Sequence, residues 1–121
     1  MVLATSNQAK QLLYVSYIGK VQSDDFERNR DGIRAIMTGL RPGFRLLVDL
    51  SHLEMMEVDC APELGGLMEL IDRSGVAKVV RVIPDQTKDI GMNILTAFHY
   101  RNRPQTITCK TMTEAARELS L

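Results

Sequence analysis

The sequence is poor in the residues that form disulfides and metal sites. Two cysteines and two histidines occur among 121 residues, and Cys60 and Cys109 are far apart, with no C-x-x-C or C-x-x-H grouping. That spacing predicts neither a zinc site nor a redox pair, and unpaired cysteines are typical of a reducing compartment. We therefore expect a cytoplasmic protein that holds no metal and no other cofactor.

Long apolar runs, an excess of charge of one sign and the common catalytic motifs are also absent. No run approaches the ~18 apolar residues of a membrane span, and residues 1–10 lack the basic start and apolar centre of a signal peptide. Fifteen basic residues balance fifteen acidic ones, which disfavours nucleic acid as a partner. No phosphate-binding glycine loop, nucleophile elbow or H-E-x-x-H motif is present. The sequence therefore predicts a protein that neither spans a membrane nor acts as an enzyme.

The apolar residues that are present alternate between strand-like and helix-like spacing. Strands are predicted at Val2–Thr5, Leu12–Ile18, Phe44–Leu50, Lys78–Ile83 and Thr106–Cys109. Helices are predicted from Ser23, as the N-cap, to Leu40, from about Asp59 to Ser74, around Ile90–Phe98, and from the capping box at Thr111 to Leu119. This alternation implies parallel pairing with right-handed crossovers, and hence an α/β fold with a mostly parallel sheet of four or five strands and about four helices.

Residues 49–59, with the sequence D-L-S-H-L-E-M-M-E-V-D, stand between a buried strand and an amphipathic helix. This segment resembles the D-L-S-G-V-x-F-[IM]-D-S-S-G pattern of STAS domains, the anti-sigma-factor antagonist fold. The order of elements is similar over nearly the whole chain, and the chain looks most like a divergent relative in the SpoIIAA-like group. The resemblance implies a single STAS-like domain over residues 1–121 that serves as a small regulatory or protein-interaction module.

The resemblance also implies where a partner binds. In phosphoregulated STAS domains a serine at the start of the second helix accepts phosphate, and that position falls here at Val58 or Asp59, neither of which can be phosphorylated. Ser51, the nearest hydroxyl, lies among acidic residues with no base in the segment, so we do not expect it to accept phosphate either. The expected function is therefore partner binding without a phosphoserine switch.

Charge along the chain indicates the same region. Residues 46–72 contain seven acidic residues and no lysine or arginine, whereas arginines cluster on and after the first helix. This polarity is typical of a surface that orients a protein partner, although acids near a helix start also stabilise the helix itself. The predicted partner-binding residues are Ser51, His52, Glu54, Glu57, Val58, Asp59 and Cys60.

Two other hypotheses come from the same residues. Seven methionines, together with the comparison of SpoIIAA-like proteins to lipid-binding Sec14 domains, suggest a small apolar or lipid-like ligand between sheet and helices. Cys60 lies in the first turn of the second helix, where the dipole favours a thiolate, and His52 is a conceivable base. The acidic neighbours Glu57, Asp59 and Glu63 oppose a thiolate, so packing is the favoured role for this cysteine.

Overall fold

The computed structural model describes residues 1–85 and 99–121. Within these ranges the chain forms seven strands and three α-helices. The helix predicted around Ile90–Phe98 lies outside the described residues. The described residues therefore contain three α-helices, where about four were predicted for the whole chain.

Two sheets are present in the described residues. The strands are β1 (Val2–Asn7), β2 (Leu12–Tyr17), β3 (Gly19–Val21), β4 (Arg45–Asp49), β5 (Leu53–Met56), β6 (Lys78–Val82) and β7 (Gln105–Cys109). The main sheet has the order β1-β2-β4-β6-β7. Only β1, which forms a hairpin with β2, is antiparallel to its neighbour. The predicted mostly parallel sheet of four or five strands is confirmed, with five strands, while the small parallel sheet of β3 and β5 was not predicted.

Helices cover both faces of the main sheet. They are α1 (Ser23–Met37), α2 (Ala61–Arg73) and α3 (Met112–Glu118), and a single 3₁₀ turn at Val58–Cys60 precedes α2. Leu46 of β4 belongs to the core cluster that contains the apolar faces of α1 and α2, whereas Leu47 belongs to the cluster beneath α3. Successive strand residues point to opposite faces, so the unbroken apolar run of β4 reflects burial on both sides.

The caps show where local sequence is a good guide. Thr111 accepts a hydrogen bond from the Glu114 N–H at 3.1 Å and caps α3, as predicted. The predicted cap of α1 is wrong by one residue, because Gln22 is the N-cap and its N–H donates to the Asp25 carboxylate at 2.8 Å. The Ser23 hydroxyl is used elsewhere, since it donates to the Asp59 carbonyl at 3.3 Å.

Candidate functional site

The small sheet of β3 and β5 places the starts of α1 and α2 side by side. Only Ile18 separates β2 from β3, which begins at Gly19, and the Gly19 φ of 68° lies in the left-handed region that glycine tolerates. The Gly19 N–H donates to the His52 carbonyl at 2.9 Å, and the Glu57 N–H donates to the Val21 carbonyl at 3.1 Å. These bonds fix both ends of the segment that we call the acidic loop, residues 51–60.

The first part of the acidic loop is tied to a buried carboxylate. Asp49, the last residue of β4, is 3% exposed. One of its oxygens accepts from the Ser51 hydroxyl at 2.6 Å and from the Ser51 N–H at 2.9 Å, and the other accepts from the Tyr14 hydroxyl at 3.0 Å. Partial burial, together with the bond to Asp49 and its negative charge, raises the pKa of Tyr14, so the phenol stays a donor.

A β-bulge exposes the middle of the loop. Gly19 pairs with Leu53 and Lys20 with Met55, so Glu54 has no register partner on β3. An extra residue at a bulge redirects the side chains around it. Leu53 is buried, whereas the consecutive side chains of Glu54 and Met55 are both exposed.

The end of the loop presents an apolar side chain between two acids. Val58 is 89% exposed and stands between Glu57 and Asp59. The backbone around it is nevertheless well anchored, because the Cys60 N–H donates to the Glu57 carbonyl at 2.9 Å and the Asp59 carbonyl accepts from Ser23. The arrangement can offer a partner one apolar contact flanked by negative charge, on a backbone that needs little ordering.

Cys60 is a packing residue. It is fully buried, and its thiol lies 3.5 Å from the Val21 carbonyl. Burial raises the pKa of the Cys60 thiol and the charge of Glu57 raises it further, so the thiolate is disfavoured at neutral pH. His52 is exposed at the other end of the loop. These observations favour the packing interpretation over a nucleophile.

Several of the acidic side chains in residues 46–72 are paired with other side chains or buried. Glu63 pairs with Arg30 of α1 at 2.9 Å, and Glu69 pairs with His99 at 2.9 Å. Asp72 is buried and its carboxylate accepts from the Asn102 side chain at 3.2 Å. Of the other acids in residues 46–72, Glu54 and Asp59 are exposed and Glu57 is half-buried, and all three lie in the acidic loop.

Of the predicted site residues, Ser51, His52, Glu54, Glu57, Val58 and Asp59 reach the surface in one continuous loop, whereas Cys60 is inside. The prediction missed the neighbouring surface at the start of α1. Gln22 donates through its amide nitrogen to Glu57 at 3.4 Å, and Ser23 contacts Asp59. The position of Gln22 and Ser23 directly after a strand could have revealed them, since the carboxyl ends of parallel strands meet at one edge of a sheet.

The domain also has an open groove between α1 and α2, of about 360 Å³. By contrast, the cavity between the main sheet and α2 holds only about 20 Å³, which is room for a single water molecule. A lipid-like ligand at that second place would have to separate α2 from the sheet. The small-ligand hypothesis therefore stays a prediction.

Within residues 1–85 and 99–121, no group of three or more histidine, cysteine, aspartate or glutamate side chains is arranged to hold a metal ion. The helices formed by these residues are also too short or too polar to cross a membrane.

No known protein family matches the sequence, and no curated protein matches it either. Several solved structures do resemble the fold. An uncharacterised protein of the DUF3478 family with a SpoIIAA-like fold, from Shewanella loihica PV-4, is 13% identical with a TM-score of 0.73, and the match covers 98% of this chain and 92% of that one.

Two further similar structures are named as anti-sigma factor antagonists. SpoIIAA in its unphosphorylated form is 15% identical with a TM-score of 0.62, over 99% of this chain and 98% of that one. An anti-sigma factor antagonist from Mycobacterium paratuberculosis is 17% identical with a TM-score of 0.61, over 100% and 94%. The domain therefore has the SpoIIAA-like fold of STAS domains, as the sequence resemblance implied.

Proposed function

We propose that this domain is a cytoplasmic regulatory module of STAS type that binds a protein partner through the acidic loop and the start of α2. The observation that carries the proposal is the position of Val58, an apolar side chain exposed by 89% between two acids. Isolated apolar residues are common on surfaces, but this one stands on a backbone fixed by hydrogen bonds at both sides. A preordered contact lowers the entropy cost of association.

The fold supports a regulatory role, since two of the similar structures are named as anti-sigma factor antagonists. The acids of the loop add a preference for a partner with a basic rim, because complementary charge speeds encounter and selects among partners. We further propose that the domain is not an enzyme, since its buried Cys60 and surface His52 are not arranged as nucleophile and base.

Binding is proposed to proceed without a phosphoserine switch. By the resemblance to phosphoregulated STAS domains, the phosphoserine position falls at Val58 or Asp59, and neither side chain can accept phosphate. Ser51 donates its hydroxyl proton to Asp49, and a phosphate there would add a dianion beside a buried carboxylate. Asp59 instead supplies a constant single negative charge at the start of α2.

A photo-crosslinking residue placed at position 58 tests the interface directly. The matched control places it at Met112, which is 41% exposed on α3, across the main sheet. We expect a protein to be crosslinked in cells from position 58 and not from position 112. Equal crosslinking from both positions would show that the loop is not the interface.

The crosslinked protein, once purified, allows the charges to be tested. Glu57→Lys with Asp59→Lys should weaken its binding by tenfold or more, because the loop then repels a basic rim. The control pair is Glu27→Lys with Asp31→Lys, at exposed acids of α1 outside the loop. A loss of affinity of the same size in the control pair would contradict the proposal.

A further inference from the structure

The groove between α1 and α2 is a second surface that the acidic loop does not explain. Its floor is apolar, with Phe26 and Ile33 from α1 and Leu67 and Leu70 from α2. Its rim carries the exposed arginines Arg30, Arg34 and Arg73 together with Glu63 and Glu69. Such a combination of apolar floor and charged rim is typical of grooves that accept an amphipathic segment.

Gly66 lines this groove, although the packing around it does not require a glycine. Among the described residues, a Cβ atom at Gly66 would meet no atom within 4 Å, whereas one at the adjacent Gly65 would lie 2.6 Å from the His99 ring. Glycine within a helix costs stability relative to alanine. Close packing therefore accounts for Gly65 but not for Gly66, whose lack of a side chain leaves room in the groove between the helices.

The charge that the groove offers outward is positive. Glu63 is engaged by Arg30 and Glu69 by His99, each at 2.9 Å. The bond to His99 lowers the pKa of Glu69, with smaller effects from Arg101 and Arg73. Among the described residues, Arg34 and Arg73 have no ion-pair partner. The groove thus presents the exposed guanidinium groups of Arg34 and Arg73 beside its apolar floor.

We propose that this groove docks a short acidic amphipathic segment of a partner protein. Apolar side chains of the segment fill the space above Gly66 and Leu67, and its carboxylates pair with Arg34 and Arg73. An open groove with exposed rims suits a peptide, because small-molecule pockets enclose most of their ligand. The site has the opposite charge to the acidic loop, so the two surfaces recognise different partner chemistry, and this proposal goes beyond the function proposed above.

A random peptide library displayed on phage and selected on the full chain tests the proposal without a known partner. We expect enriched peptides with acidic residues and apolar residues at helical spacing. Their affinity, measured by fluorescence anisotropy, should fall at least tenfold in Gly66→Leu, which fills the groove, and in Arg34→Glu with Arg73→Glu. It should be unchanged in Arg41→Glu with Arg117→Glu, a charge-matched pair outside the groove, and circular dichroism confirms that each variant is folded.

Several outcomes would overturn the groove as a docking site. They are a selection that enriches no peptide, peptides without acidic residues, and binding that survives Gly66→Leu. Binding lost only in Val58→Asp would also overturn it, while leaving the acidic loop as the interface. A rise in melting temperature with decanoate in the parent but not in Gly66→Leu, without any enriched peptide, would assign the groove to a small anionic amphiphile instead.

Discussion

The Ser51 hydroxyl lies 2.6 Å from Asp49 Oδ1, and the Ser51 N–H lies 2.9 Å from the same oxygen. The two bonds turn the chain sharply at the point where β4 ends and the acidic loop begins. The second Asp49 oxygen accepts from Tyr14 of the neighbouring strand β2, so the carboxylate also joins two strands. A buried charge is stable only when its lone pairs are satisfied, and here both oxygens have donors.

This arrangement predicts that Asp49→Ala is far more costly than Ser51→Ala. Removal of the carboxylate leaves the Tyr14 hydroxyl and Ser51 N–H without their acceptor, and should lower the free energy of unfolding by about 2–4 kcal/mol. Ser51→Ala removes one donor and keeps the other, for a cost of about 1 kcal/mol. Urea denaturation at pH 7 gives both values. Equal losses in the two variants would contradict the central role of Asp49.

The fold was predictable because its strong signals are local. The three valines of Lys78–Val82 indicate β6, and the helical spacing of Leu64, Leu67 and Met68 indicates α2, each within a few residues. The strands β3 and β5 have only three and four residues. They follow β2 and β4, which are themselves neighbours in parallel, and this brings β3 and β5 together as a parallel pair. No local pattern predicts a strand that depends on a partner 35 residues away.

The same distinction holds at the site. The acidic loop was predictable from the residues that follow β4, but its contact with the start of α1 was not. The local sequence favours Ser23 as a cap, yet its hydroxyl donates to the Asp59 carbonyl across the two helix starts. The groove depends on which faces of α1 and α2 meet, and contacts such as that of Arg30 with Glu63 form only once the two helices have packed.

Asp25 should make the start of α1 sensitive to acid. The Gln22 N–H lowers the pKa of the Asp25 carboxyl, with a smaller contribution from Arg28 at 3.0 Å. A lowered pKa means that the charged form stabilises the folded state. Its contribution is complete above the unfolded pKa and is lost as the pH falls below about 4, through the folded pKa.

Asp25→Asn is therefore expected to lower the free energy of unfolding by about 0.5–1.5 kcal/mol at pH 7. The difference from the parent should shrink toward zero at lower pH, as the parent's carboxyl becomes protonated. Asp24→Asn is the matched control, since Asp24 is exposed in the same helical turn. A pH-independent effect of Asp25→Asn, or an equal effect of Asp24→Asn, would show that the capping carboxylate is not the cause.

Neither cysteine should react in the folded protein. Both are buried, and burial raises the pKa of each thiol, with Glu57 adding to the effect at Cys60 and Glu114 at Cys109. Iodoacetamide at pH 7.5 should therefore modify both at least tenfold more slowly than it modifies N-acetylcysteine. Both should react at the model compound's rate in guanidinium chloride. Alkylation of folded Cys60 as fast as that of N-acetylcysteine would contradict this prediction and support a nucleophilic role for Cys60.

Gly65 and Gly66 should respond oppositely to the same substitution. Gly66→Ala adds a methyl group where no atom of residues 1–85 or 99–121 lies within 4 Å, so the gain in helix propensity should stabilise the protein by about 0.5–1 kcal/mol. Gly65→Ala offers the same gain but places its methyl group 2.6 Å from His99 Nε2. The ring must then move away from Glu69, and overpacking of this kind costs about 1–3 kcal/mol. Thermal denaturation of the two variants should show a raised melting temperature for Gly66→Ala and a lowered one for Gly65→Ala, and the reverse order would contradict the packing of His99 against α2.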